Sequence, residues 1–152
     1  MCGIALGVWH HEDTQPHDAW ASVISQIQRR GRDAYHSVAC TQDGTRWELH
    51  ASVLCLRGKE LTPQPITSQD GHLHLAWNGQ IFSSEHEDDP LLDMERNDGA
   101  IIMTRLEEHA DQIPDVLVST LSAVDGPYAF VLVDTRNACI YYGRDPLGRR
   151  SL

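Results

Sequence analysis

Cys2, the pair Asn78-Gly79 and Asp98 are the residues of this chain whose types could do chemistry on a substrate. Cys2 stands directly behind the initiator methionine, in MCGIALGVW. Once Met1 is removed, Cys2 carries a free α-amino group beside its own sulfur, so one residue holds both a nucleophile and a base. An α-amine titrates near ~8 and a thiol near ~8.5, so a proton can pass between them close to neutral pH. Asn78-Gly79, in WNGQIF, has two readings. Taken alone it is a hairpin turn, because both residues tolerate positive φ. Alternatively, the asparagine amide and an adjacent glycine N–H aim two donors at a developing negative charge, as in an oxyanion hole. Asp98, ahead of GAIIMTRL, is either a helix N-cap or a carboxylate aimed at a substrate ammonium.

Metal chemistry has little to stand on. Cys2, Cys40, Cys55 and Cys139 are widely spaced and form no C-x-x-C pair. His10–His11 and His72-x-His74 lack a carboxylate or thiolate at ligand spacing, so no metal site is expected.

The elements that must position these groups belong to one domain-sized chain of 152 residues, with a net charge of -10. Its 12 basic against 22 acidic residues disfavour nucleic acid or an anionic membrane as the main partner. No stretch approaches the ~20 apolar residues of a membrane span. The opening segment lacks a basic n-region, so it does not read as a signal peptide. A cytoplasmic setting with unpaired thiols is therefore expected.

Alternating Ile4, Leu6 and Val8 predict a first strand. Thr14 and Pro16 lead into a helix of roughly four turns carrying Trp20, Val23, Ile24 and Ile27, with Gly31 as its stop. Strands are expected at 37–41 and 46–49 around Gln42-Asp43-Gly44, then at 51–56, ending in Arg57-Gly58. A loop (61–71) precedes a strand at 73–77. The acidic stretch SSEHEDDPLLDMERND has no periodicity and reads as a mobile surface loop. Helices are expected from Asn97 or Asp98 and around Val116–Leu121, followed by strands at 128–134 and 139–142. Strands broken by separated helical regions indicate a layered α+β domain with antiparallel sheet.

In order and rough spacing from Met1 to Leu152, Cys2-Gly3-Ile4, RRGRDAYH, QPI, WNGQIF, NDGAII, DGPYAFVLVD and GRDPLGRRSL resemble the class II glutamine amidotransferase domain. That family is a branch of the N-terminal-nucleophile hydrolases, and within it the chain is similar to the amidotransferase half of asparagine synthetase. The resemblance implies a four-layer αββα sandwich, with helices outside two antiparallel sheets. One amidotransferase domain would cover residues 1–152, stopping before the last strands of that fold and without a synthetase domain.

The same resemblance assigns roles. Cys2 attacks the side-chain amide of glutamine, and Asn78 Nδ2 with the Gly79 N–H binds the oxyanion. Asp98 partners the substrate's α-ammonium, and Gly99 allows its close approach. Ammonia leaves for a synthetase domain that uses ATP and magnesium; the amidotransferase domain itself needs no cofactor. Three positions depart from the family pattern. Arg32 replaces a proline, Gln80 replaces a glutamate, and Val53 occupies the slot of an arginine that grips the substrate's α-carboxylate. Arg57 is the candidate substitute, although residues four apart along a strand are ~13 Å from one another. Two classes of function follow: a glutamine-hydrolysing enzyme, or a degenerate module that keeps the fold and serves as a binding or regulatory domain.

Overall fold

The structure is a computed structural model that describes residues 2–10 and 18–152. Met1, whose removal would free the Cys2 α-amine, and the helix lead-in expected at Thr14 and Pro16 lie outside the described residues.

The first half contains β1 (Gly3–His10), α1 (Asp18–Gln28), β2 (Ala34–Gln42) and β3 (Thr45–Val53). They build an antiparallel sheet in the order β1-β3-β2. Side chains alternate across it, so Ile4 and Leu6 share one apolar face with Trp47, Leu49 and Ala51. The opposite face meets α1. A Cβ on Gly3 would fall 2.8 Å from Ile27 Cβ and Ile27 O, so helix and strand come this close only over a glycine. Ser52 Oγ donates to Ile27 O at 2.5 Å and accepts the Gly3 N–H at 3.1 Å, which pins the chain just after Cys2.

The strands expected at 46–49 and 51–56 are one continuous strand that stops at Val53. The reason is partnership: Val53 faces Ala34, the first residue of β2, and Ser52 faces Gly3, the first of β1. Beyond them residues 54–56 have no neighbouring strand among the described residues, and Arg57 sits on a loop. Gly31 also differs from expectation, because it does not adopt the left-handed conformation of a helix stop. Its Cβ would lie 2.4 Å from Val53 N and 2.5 Å from Ser52 C, so close passage over β3 is what demands glycine. The described part of α1 is eleven residues, about three turns.

The second half adds β4 (Ile66–Thr67), β5 (Leu73–Gly79), β6 (Ser83–Ser84), α2 (Asp98–Glu108), α3 (Ile113–Ser122), β7 (Val124–Asp125), β8 (Tyr128–Asp134) and β9 (Cys139–Arg144). Its main sheet is antiparallel in the order β4-β5-β8-β9, and β6 pairs with β7 alone. Leu75, Trp77, Phe130 and Leu132 form one face, covered by Ile101, Ile102 and Leu106 of α2 and by Ile113 and Leu117 of α3. From the other face, Ala76, Val131 and Val133 pack into the cluster of Trp47, Leu49 and Ala51. The fold is thus mixed α and β, with antiparallel sheets and, among the described residues, three α-helices.

Two further expectations are corrected. Asn78 and Gly79 are not a turn: they continue β5 opposite Ala129 and Tyr128, and neither has positive φ. The full-length ladder with β8 overrides the local turn preference. The acidic stretch after Phe82 is not a free loop. Leu91, in a short 3₁₀ turn (Pro90–Leu92), is wholly buried against the α2 core. Asp89 caps that turn through Leu91 N at 2.8 Å, accepts Ser84 Oγ at 2.9 Å and pairs with Arg105. A single apolar anchor and a buried carboxylate order a segment whose charge suggested solvent.

Candidate active site

Cys2, Arg57, Asn78, Gly79 and Asp98, spread over almost a hundred positions of sequence, line one cavity at the end of the sheets. They arrive from four places in the chain, Asn78 and Gly79 together at the end of β5. Cys2 immediately precedes β1, and its Sγ lies 3.5 Å from Leu54 N and 3.7 Å from Leu54 O, where the chain leaves β3. Asn78 shares the strand face of Ala76 and so points towards the first sheet. Its Nδ2 is 3.5 Å from Ser151 O, the outer limit of a hydrogen bond, and remains available to a stronger acceptor.

Strand geometry also sets the Gly79 N–H. Successive N–H groups of a strand point to alternate sides. Trp77 N turns away from β8 and donates to Gln64 Oε1 at 2.7 Å; Gly79, two residues on, turns its N–H to that same side, where the cavity lies. An asparagine amide and a main-chain N–H therefore border one space with a thiol.

Asp98 opens α2 without capping it. The cap is Asn97, whose Oδ1 accepts Ala100 N at 3.1 Å. That frees the Asp98 carboxylate, 1% exposed, to accept Ile81 N at 3.1 Å through Oδ2 and Gly99 N at 3.1 Å through Oδ1. Burial pushes this carboxyl above its ordinary value; the nearby Arg57 guanidinium is the strongest influence holding it down, followed by the Ile81 and Gly99 N–H groups.

Arg57 is 6% exposed, and its terminal nitrogens are committed to protein. Nη1 donates to Ile81 O at 2.9 Å and stands 3.5 Å from Asp98 Oδ2. Nη2 donates to Leu91 O at 2.5 Å and Asp93 O at 3.0 Å. Its geometry is that of a brace between the 81–93 segment and the site. Gly99 lies off the cavity: a Cβ there would meet Trp77 Cβ at 3.1 Å and Ile66 Cδ1 at 3.3 Å, so this glycine lets α2 approach the second sheet.

Three lining residues were not singled out from sequence. Gln64 is buried and holds β5 through Trp77 N; the Trp77 indole N–H, beside Asp98, has no partner in bonding geometry. Arg150 enters from the far end of the chain with a buried Nε that also lacks a partner. The doubled arginine of GRDPLGRRSL was the available signal, but nothing local distinguishes Arg149 from Arg150. The free volume is about 30 Å³, room for about two waters. Among the described residues no three His, Cys, Asp or Glu side chains gather as metal ligands. No described helix is long and apolar enough to cross a membrane.

A thiol, an asparagine amide, a main-chain N–H and a buried carboxylate line one cleft. The model of the glutamine amidotransferase domain matches residues 1–152, and the chain belongs to that family. It is 32% identical over its whole length to asparagine synthetase domain-containing protein 1 of Bos taurus, and 30% identical to that of Homo sapiens, covering 22% of each. It is also 30% identical over 152 residues to the glutamine-hydrolyzing asparagine synthetase of Asparagus officinalis, covering 97% of this chain and 24% of that protein. The chain thus spans about a quarter or less of these curated relatives.

Proposed function

We propose that this domain releases ammonia from glutamine through Cys2, within a four-layer αββα N-terminal-nucleophile sandwich. The observation that carries the reading is the convergence of Cys2, Asn78, Gly79 and Asp98 on one cavity. After removal of Met1, the α-amine of Cys2 takes the thiol proton, and the sulfur attacks the side-chain carbonyl carbon of glutamine. The oxyanion that forms accepts from Asn78 Nδ2 and the Gly79 N–H, donors fixed before the reaction by β5. The tetrahedral intermediate collapses as the amine returns its proton to the leaving nitrogen. Ammonia departs, and a γ-glutamyl thioester remains until water releases glutamate. Asp98 holds the substrate's α-ammonium, for which its buried charge and remaining lone pairs are suited.

The relatives carry this reading further. A glutamine-hydrolyzing asparagine synthetase among them supports a role in asparagine biosynthesis; a cytoplasmic setting and transfer of the ammonia to an ATP-dependent synthetase domain complete the proposal. The second reading, a binding or regulatory module without turnover, is favoured by the narrow cavity and by the Ser151 carbonyl already facing the Asn78 amide.

A γ-electrophilic glutamine analogue separates the two. Mass spectrometry first establishes loss of Met1; the analogue should then add one adduct to the N-terminal peptide of the parent protein and none to Cys2→Ala. A folded, processed parent that stays unlabelled and produces no glutamate from glutamine would refute hydrolysis.

A further inference from the structure

Glutamine carries an α-carboxylate as well as an α-ammonium, so a site that accepts it needs a cation as well as Asp98. Two arginines line the cavity, Arg57 and Arg150. Arg57 has spent its charge: its terminal nitrogens are shared among three carbonyls, and Asp98 stands opposite. Only its Nε is without a partner. Arg150 is different. Among the described residues it makes no ion pair and no side-chain hydrogen bond, and its Nε is closed off from solvent unpartnered. A buried donor left unsatisfied in a cleft needs an explanation, and a guanidinium is suited to bidentate capture of a carboxylate.

The loop that carries Arg150 is built to present it. Asp145, 3% exposed, accepts Tyr128 N at 3.2 Å, Leu147 N at 3.2 Å and Arg149 N at 2.9 Å, so its carboxylate folds the loop around itself. Arg149 closes that knot: Nε reaches Asp145 Oδ1 at 3.0 Å and Nη2 reaches Asp125 Oδ1 at 3.0 Å. Of two adjacent arginines, the first is therefore consumed as an anchor and the second is delivered to the cavity with its charge uncompensated. Asp98 enters the same space at the head of α2. Anion and cation line one cleft with the thiol, an arrangement that fits a zwitterionic amino acid.

Resting on the glutamine reading above, we infer that Arg150 binds the α-carboxylate of the substrate and so makes the site specific for a free amino acid. The test is calorimetric titration of the full chain carrying Cys2→Ala, which cannot turn over. The ligands are L-glutamine and L-glutamine α-amide, whose α-carboxylate is an uncharged amide. Arg150→Ala on that background should weaken glutamine binding about 30-fold, as loss of a charge-assisted pair does, and Arg150→Lys should recover part of it. The α-amide should bind the Cys2→Ala protein as poorly as glutamine binds the double variant, and the double variant should no longer distinguish the two ligands. Arg136→Ala, which removes an exposed arginine paired with Asp70, serves as the charge control and should change nothing.

The inference is overturned if Arg150→Ala, with an unchanged melting temperature, binds glutamine within threefold of its parent. It is equally overturned if the α-amide binds as tightly as glutamine, or if folded Cys2→Ala protein binds no glutamine. Ammonia release by the Cys2-bearing chain is measured separately. Hydrolysis with a KM insensitive to Arg150→Ala removes this inference and leaves the enzyme reading standing. Arg150-dependent binding without ammonia release does the reverse.

Discussion

Replacing Arg57 with methionine tests whether this arginine is a brace or a ligand for substrate. Methionine keeps the length of the stem and removes the guanidinium. Three carbonyls, of Ile81, Leu91 and Asp93, lose their donors, and the buried Asp98 carboxylate loses the cation 3.5 Å away. Charge-assisted hydrogen bonds are worth about 1.5–3 kcal/mol each, though not additively. Removing one partner of a buried pair costs about 3–5 kcal/mol. With both groups buried, a total of about 4 kcal/mol is expected, a shift in melting temperature of roughly 8–16 °C for a domain of this size.

Thermal and urea unfolding followed by circular dichroism measure it, and pH supplies an independent sign. Asp98 already sits above its ordinary value because it is buried, with Arg57 the main opposing influence. In the pH window above the unfolded carboxyl's pKa of about 3.9, the folded protein therefore holds a proton that the unfolded chain has released. Stability contributed by this group is present below that window and is lost as pH rises through the folded pKa. Without Arg57 the carboxyl rises further, so stability should fall more steeply with increasing pH than in the parent. An Arg57→Met protein that melts within about 2 °C of the parent, at most about 1 kcal/mol, would refute the brace. So would a shallower pH dependence.

Two other outcomes follow from the same geometry. Asn78→Ala should lower kcat for glutamine hydrolysis by about 10²–10³ while leaving urea stability within about 1 kcal/mol, since its amide makes only the long contact with Ser151 O; a loss expressed in KM alone would contradict the oxyanion role. Gly31→Ala drives a Cβ into the Ser52–Val53 backbone and should cost about 3 kcal/mol, read as a lower urea midpoint at unchanged m-value; a cost below about 1 kcal/mol would show that α1 can shift away from β3.

Local chemistry was enough for much of the architecture. Alternation in Ile4-Leu6-Val8 and in Leu73-Leu75-Trp77 identified strands, because successive side chains of a strand point to opposite faces whatever its partner. The start of α2 was legible as well, since a cap acts within three residues, although Asn97 rather than Asp98 supplies it. The motif order carried the family. What sequence reading missed depends on partners distant along the chain. Asn78-Gly79 is strand because β8 runs beside it for its whole length, and residues 54–56 are loop because no described strand does. Leu91 orders an acidic segment only because the α2 core lies beneath it. Arg57 and Arg150 are the same side chain to a sequence reader. One is spent on three carbonyls and the other is left unpaired in the cleft, and only the packing of elements distant along the chain decides which.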